Sequence, residues 1–406
     1  ELADISGQHV GDVSEAFSEI RAEALSRPWT RDEFPEVAAM LERNTAALDL
    51  IVAASRRPRY YSPLIVDIEH PMLISVLLPI EQQQREGVRQ LTSRAMLKLE
   101  EGDAEGAWED LLSCHRLARR LSENWSMIGG LVSIAIDANA VESDEAYLES
   151  DAVTAEKLRK CLRDLENLEP LPVMADIVDQ GERLMFVDSV NQLMRGGTGA
   201  LSGLLEGDTP EDYNSSGSHS LLNAAIDWDV VLTVGHERYD EIVAAMRIED
   251  YATRSAELQR ISDDFRPGSG AAVIQPLIME SLSGDRDGAS REFAEMLLAL
   301  LTATVTHGRE AETRGTTRNR LIRIGFALAI HQREHGEFPE SLDALVPDPL
   351  DELPLDPYTS QPFIYQRTED AGFRLYSVGE NLQDDGGASF GDEPPGDDII
   401  IEIRPE

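Results

Sequence analysis

Cysteine, aromatic residues, lysine and long apolar runs are all scarce in this chain of 406 residues. Its two cysteines, Cys114 and Cys161, form no metal-ligand spacing and no Cys-x-x-Cys pair, which excludes zinc ribbons, thioredoxin-like redox motifs and a disulfide-stapled scaffold. Both sit in amphipathic helical patterns, where cysteine behaves as a small hydrophobe; a bond between them is left open. The longest apolar stretches, 73–80 and 128–136, fall well short of the ~20 residues that a membrane-spanning helix requires. Lysine occurs only at 98, 157 and 160, so almost every cation is arginine.

What is abundant is acid. Against 36 basic residues stand 76 acidic ones, giving a net charge of −40. Such a field repels nucleic acid and anionic lipid, so the expected partner is a protein and not a polynucleotide. A 42% hydrophobic content with 6% aromatics is ordinary for a largely α-helical protein with a sizeable core. The chain opens on Glu1 rather than Met. This gives the expectation that a signal or membrane anchor lies upstream, and hence an extracytoplasmic location, periplasmic or cell-surface.

Apolar residues recur at helical spacing near 13–26, 35–54, 84–100, 105–122, 127–148, 154–166, 173–195 and 236–262. The fold class expected is mainly α: a helical bundle or irregular solenoid over 1–265, a linker over 266–290, and a unit over 291–406 with one long helix and a small antiparallel sheet. The pair 91–100 and 105–121, joined by Glu101-Gly102-Asp103, has the pattern of a tetratricopeptide hairpin, which makes a helical-repeat adaptor one alternative; no second copy follows at a fixed period. A nearly continuous helical pattern from Arg291 to His335 ends at Gly336, a residue suited to a left-handed helix terminus. Beyond it three short β patterns occupy 362–367, 372–378 and 398–404.

Chemistry is signalled weakly. His331-Gln332-Arg333-Glu334-His335 matches the inverted zinc-peptidase pattern, two histidines one turn apart with a glutamate to activate water, so a metal-dependent hydrolase using His331, Glu334 and His335 is a second alternative. The same residues fit the exposed last turn of a long helix, where cations oppose the helix dipole. Asp227, Asp229 and Glu237 have the composition of a carboxylate pair, but acidic clusters are expected by chance at this charge. Arg195-Gly196-Gly197-Thr198-Gly199 lacks the Gly-Lys-[Ser/Thr] ending of a phosphate loop. The densest run of hard oxygen donors is 380–392, which suits Ca²⁺; Asn381, Gln383, Asp385, Gly386 and Asp392 also fall in an EF-hand-like register, with Asp in place of the usual final Glu.

Seven signatures in order point to one family. Phe326 to Pro339 contains a helix end followed by Gly336-Glu337-Phe338-Pro339. Next come Ser341 to Val346, Leu353-Pro354-Leu355-Asp356-Pro357-Tyr358, Pro362-Phe363-Ile364-Tyr365, Leu375-Tyr376-Ser377-Val378-Gly379, Gly386-Gly387 and Asp397-Asp398-Ile399. In this order they resemble the C-terminal module of the major pseudopilin (protein G) of type II secretion, over about 291–404. The family's N-terminal cleavage motif and assembly helix are not at the start of this chain, and some 290 residues precede the resembling part, so the module reads as borrowed rather than as a filament subunit. The resemblance implies a calcium-binding loop after Gly379, with Asn381 and Asp398 at family ligand positions and Asp384 or Asp385 as substitutes. The resulting expectation is an exported, non-enzymatic scaffold or binding protein whose metal ligands are Asn381, Asp384, Asp385 and Asp398 and whose cofactor, if any, is Ca²⁺.

Overall fold

The computed structural model describes residues 20–63, 65, 73, 79–121, 125–196, 223–264, 284–302, 305–368 and 372–403. Most of the expected linker and of the Gly/Ser-rich stretch after Gly196 lies outside them, as does part of the helix expected at 13–26. Among the described residues, eleven α-helices are followed by a three-stranded antiparallel sheet, the mainly α architecture expected. The helices are α1 (Pro35–Ser55), α2 (Pro79–Glu100), α3 (Ala104–Leu121), α4 (Met127–Glu149), α5 (Ala155–Glu166), α6 (Met174–Ile177), α7 (Arg183–Gly196), α8 (Trp228–Met246), α9 (Tyr251–Asp264), α10 (Arg286–Thr302) and α11 (Val305–His335). A π-turn (Val178–Glu182) joins α6 to α7. No helix among the described residues is long and apolar enough to cross a membrane.

Local chemistry sets most boundaries. The α2–α3 hairpin turns at Gly102, whose φ of 82° suits a residue without Cβ, and Asp103 accepts the Gly106 amide at 2.9 Å to start α3. Ser126 and Thr154 cap α4 and α5 through bonds from Gly129 and Lys157. The pattern expected as one helix over 236–262 is two. The Arg254 guanidinium takes the carbonyls of Ile248 and Glu249 at 2.8 and 3.0 Å, and Asp250 accepts the Thr253 amide at 2.8 Å. The carbonyls of the turn after α8 and an orphan amide of α9 are thereby satisfied without Gly or Pro, the usual sequence marks of a break.

α4 is the central strut. Its sides pack on α3 and α11, so it is buried nearly all round, from Met127 and Val132 to Tyr147 and Leu148. Trp108 of α3 meets Tyr147 of α4 and Phe326 of α11, each at 5.5 Å between ring centroids, and its indole donates to Asp164 of α5 at 2.9 Å. A second core gathers α6 to α8 and α10, with Phe186 against Tyr239 and Trp228 against Phe293. Cys114 and Cys161 are buried and unbonded to each other.

The sheet has order β1 (Ile364–Arg367), β2 (Phe373–Ser377), β3 (Ile399–Ile403), with Tyr365 opposite Leu375 and Leu375 opposite Ile401. Alternation sends Phe373, Leu375 and Ile401 into the same core as α11, α4 and α3, and Phe338 packs on Phe373 at 5.0 Å. Each such buried side chain contributes ~2–3 kcal/mol, which a three-stranded sheet needs from a covering layer.

Candidate functional site

The segment between β2 and β3 folds back on itself through glycines. At Gly379, φ 66°, a Cβ would stand 2.3 Å from the Asp397 carbonyl oxygen, so this close approach of the loop's two ends requires glycine. The approach sets Asp397 and Asp398, at the entry to β3, against Asp385 at the loop's turn. One carboxylate oxygen from each of Asp385, Asp397 and Asp398 lies within 4.8 Å of the others, the one group of three or more metal-capable side chains among the described residues.

The hydrogen bonds around the trio are unevenly distributed. Asp398 Oδ2 accepts the Gly387 amide at 2.7 Å, and Asp397 Oδ2 accepts the Asn381 amide at 2.8 Å. Asp385 Oδ2 accepts from Asn381 Nδ2 at 3.0 Å and from the Asp397 amide at 3.3 Å. The Oδ1 atoms of Asp397 and of Asp398 are buried with no hydrogen-bond partner. Asp398 is only 3% exposed, and burial raises its carboxyl above the usual carboxylate range, with Asp385 and Asp384 adding to the rise. Buried carboxylate oxygens without a hydrogen-bond partner are costly unless a cation joins them. Oxygens ligating one Ca²⁺ at 2.3–2.6 Å are at most ~5 Å apart, which this trio meets, and an all-oxygen set favours a hard cation over zinc.

The expected ligands therefore divide. Asp385 and Asp398 come together. Asp384 turns away, accepting from the Tyr376 hydroxyl at 3.1 Å and the Gly386 amide at 2.9 Å. Asn381 touches the trio through its amides, while its Oδ1 accepts from Gln383 N at 2.5 Å. Asp392 closes a separate turn at Ser389. The residue missed is Asp397; its adjacency to Asp398 was the available signal, hidden because neighbours on a regular strand point to opposite faces, a rule that lapses before β3 begins.

His331 and His335 lie on the last turn of α11 with rings stacked at 4.2 Å, and their Nδ1 atoms approach the carbonyls of Glu337 and His331 at 3.1 Å each. Glu334 meets Arg159 through both oxygens at 2.9 Å, and this holds its carboxyl below the usual range. A glutamate held in this way is not free to activate water. Asp227 caps α8 by accepting the Asp229 amide.

A second polar cluster lies sealed between α3, α4 and α11. His115 places Nδ1 2.7 Å from Asp137 and Nε2 2.9 Å from Asp144. Asp137 also takes Arg119 and Asn319, and Arg119 donates to Asn319 Oδ1 at 2.9 Å. Burial pushes Asp144 up and Arg119 down to about 9. His115 and Asp144 are fully buried, so no substrate reaches them; the cluster ties three helices together. Asp137 and Asp144, two turns apart on one face of an otherwise apolar helix, were its sequence trace.

Comparison with protein-family models, with curated proteins and with solved structures gives no match to this chain in any of the three.

Proposed function

We propose that the protein is an exported, non-enzymatic scaffold or binding protein, whose C-terminal helix-plus-sheet module resembles that of the major pseudopilin and is tied together by Ca²⁺. The single observation supporting the metal is the pair of buried, partnerless oxygens on Asp397 and Asp398 beside Asp385. On this reading, Asp385, Asp397 and Asp398 hold the ion, with Asn381 aligning the loop around it. The ion cross-links the turn at Gly386-Gly387 to the start of β3, and so fixes the last strand on α11 and α4. Its role is structural, and the working surface serves a protein partner.

The test is a pair of thermal melts, one in calcium and one in chelator. Binding to the folded state alone raises stability by RT ln(1 + [L]/Kd), ~2.7 kcal/mol at a hundredfold excess over Kd. No calcium-dependent shift sinks the metal assignment. Fractionation of the source cells tests export separately: recovery of the native protein in the cytosolic fraction removes it.

A further inference from the structure

Between α4 and β3 runs a cleft of about 430 Å³, within the size range of small-molecule sites. Glu142 and Glu145 line it from α4, Ile399 to Ile401 from β3, and Arg314 and Arg318 from α11. The two arginines are one helical turn apart and share a face. Arg314 is exposed and reaches Glu380 only at 3.8 Å. Arg318 is largely withdrawn from solvent and makes no hydrogen bond or ion pair with any described residue.

That isolation is unusual in this chain. Arg94, Arg238 and Arg309, comparably withdrawn, each hold a carboxylate, and Arg254 holds two carbonyls and Thr313. A guanidinium has five donors in a fixed fork that matches a carboxylate, and withdrawing it from water without acceptors is costly. Burial, followed by the repulsion of Arg314, pushes Arg318 down from its usual range. Glu142 and then Glu145 pull the other way through space, but Glu145 makes no hydrogen bond or ion pair with Arg318. Burial pushes its carboxyl up to about 8, and Glu142, Glu149 and Asp144 push the same way, against the pull of Arg318. At neutral pH the cleft therefore presents a guanidinium without a hydrogen-bond acceptor, attracted only through space by Glu142, beside a carboxyl that carries a proton to donate.

We propose that this cleft binds a small carboxylate ligand, anchored by the Arg318 guanidinium, with Arg314 as a second cationic contact and the Glu145 carboxyl as a hydrogen-bond donor. The ligand's oxygens accept from the Arg318 fork and from Glu145 in the same place, satisfying both. Asp397 and Asp398 also line the cleft, but the recognition does not run through calcium, and the two readings fail independently.

The test is calorimetric titration with sodium succinate, at pH 7 and pH 9, in calcium and in EGTA. Saturable binding by the natural chain is expected in both media, weakened about tenfold or more in Arg318→Gln and severalfold in Arg318→Lys, which keeps the charge but loses the fork. From pH 7 to 9 the natural chain should lose affinity as Glu145 ionises amid Glu142, Glu149 and Asp144. Glu145→Gln should bind at pH 7 and lose that pH dependence. Circular dichroism shows whether each variant is folded; should Arg318→Gln unfold, the Arg318→Lys comparison decides. No saturation up to tens of millimolar, equal binding by folded Arg318 variants, or binding that vanishes in EGTA overturns the proposal. Inorganic phosphate bound as tightly as succinate overturns the carboxylate assignment.

Discussion

Replacing Asp398 by asparagine should change the sign of its effect on stability with the presence of calcium. In chelator, Asp398 Oδ1 and Asp397 Oδ1 are buried without a hydrogen-bond partner, and the charges of Asp385 and Asp384 act against the Asp398 carboxylate. The substituted side chain keeps an oxygen for the Gly387 amide, held by Asp398 at 2.7 Å. Its amide nitrogen then points where the orphan oxygen was and donates to the neighbouring carboxylate. One such bond to a charged acceptor, less the ordering it requires, is worth ~1 kcal/mol, so the variant is the more stable form in chelator. In saturating calcium the natural chain gains ~2.7 kcal/mol at a hundredfold excess over Kd, while the variant, short of one charged ligand, gains little. The difference reverses to ~1–2 kcal/mol in favour of the natural chain. Urea denaturation followed by circular dichroism in both media reads both signs. Asp384→Asn is the control: it makes the same charge change in a carboxylate bonded to Tyr376 and Gly386, and it should leave the calcium shift in place. Equal destabilisation by Asp398→Asn in both media refutes the reasoning.

Three further outcomes are expected. His115→Leu strands Asp144 in the core, while Asp137 keeps Arg119 and Asn319, and should cost ~3–5 kcal/mol by urea denaturation; a loss under about 1 kcal/mol would show that the cluster is wetter than its burial indicates. Glu145 has a folded value near 8 against an ordinary 4.5, so the native state holds the extra proton and stability falls as pH rises between the two. The shift sets a ceiling of ~5 kcal/mol, which partial exposure reduces to ~1–2 kcal/mol. Glu145→Gln should therefore be stabilising at pH 9 and neutral at pH 4, and the reverse order would refute the assignment. Phe373→Ala removes the ring that joins the sheet to Phe338 and α11 and should cost ~3–5 kcal/mol; intact near-ultraviolet dichroism with unchanged urea midpoint would contradict that packing.

Elements with local causes were legible in the sequence. Gly336 terminates α11 with φ 86°, donating to Gln332 O at 2.8 Å, because only glycine takes that conformation freely and its place after the last helical residue is visible in one dimension. The three strands fall inside the expected segments because alternation over five residues suffices to mark a half-buried strand. The break between α8 and α9 was not legible. It depends on Arg254 reaching back to carbonyls, and arginine carries no mark of a helix end.

For the candidate sites the division is sharper. Sequence by itself determined that the loop after Gly379 is rich in oxygen donors, that α11 ends at Gly336, and that the overall charge is strongly negative, because each follows from composition or from neighbours along the chain. Only the tertiary structure decided that Asp384 bonds Tyr376 while Asp397 joins Asp385 and Asp398, that Glu334 belongs to Arg159, and that His115 stands between two aspartates beside a residue 200 positions on from Arg119. In each of these a carboxylate chooses among partners by distance and burial, and neither quantity exists until the helices have packed.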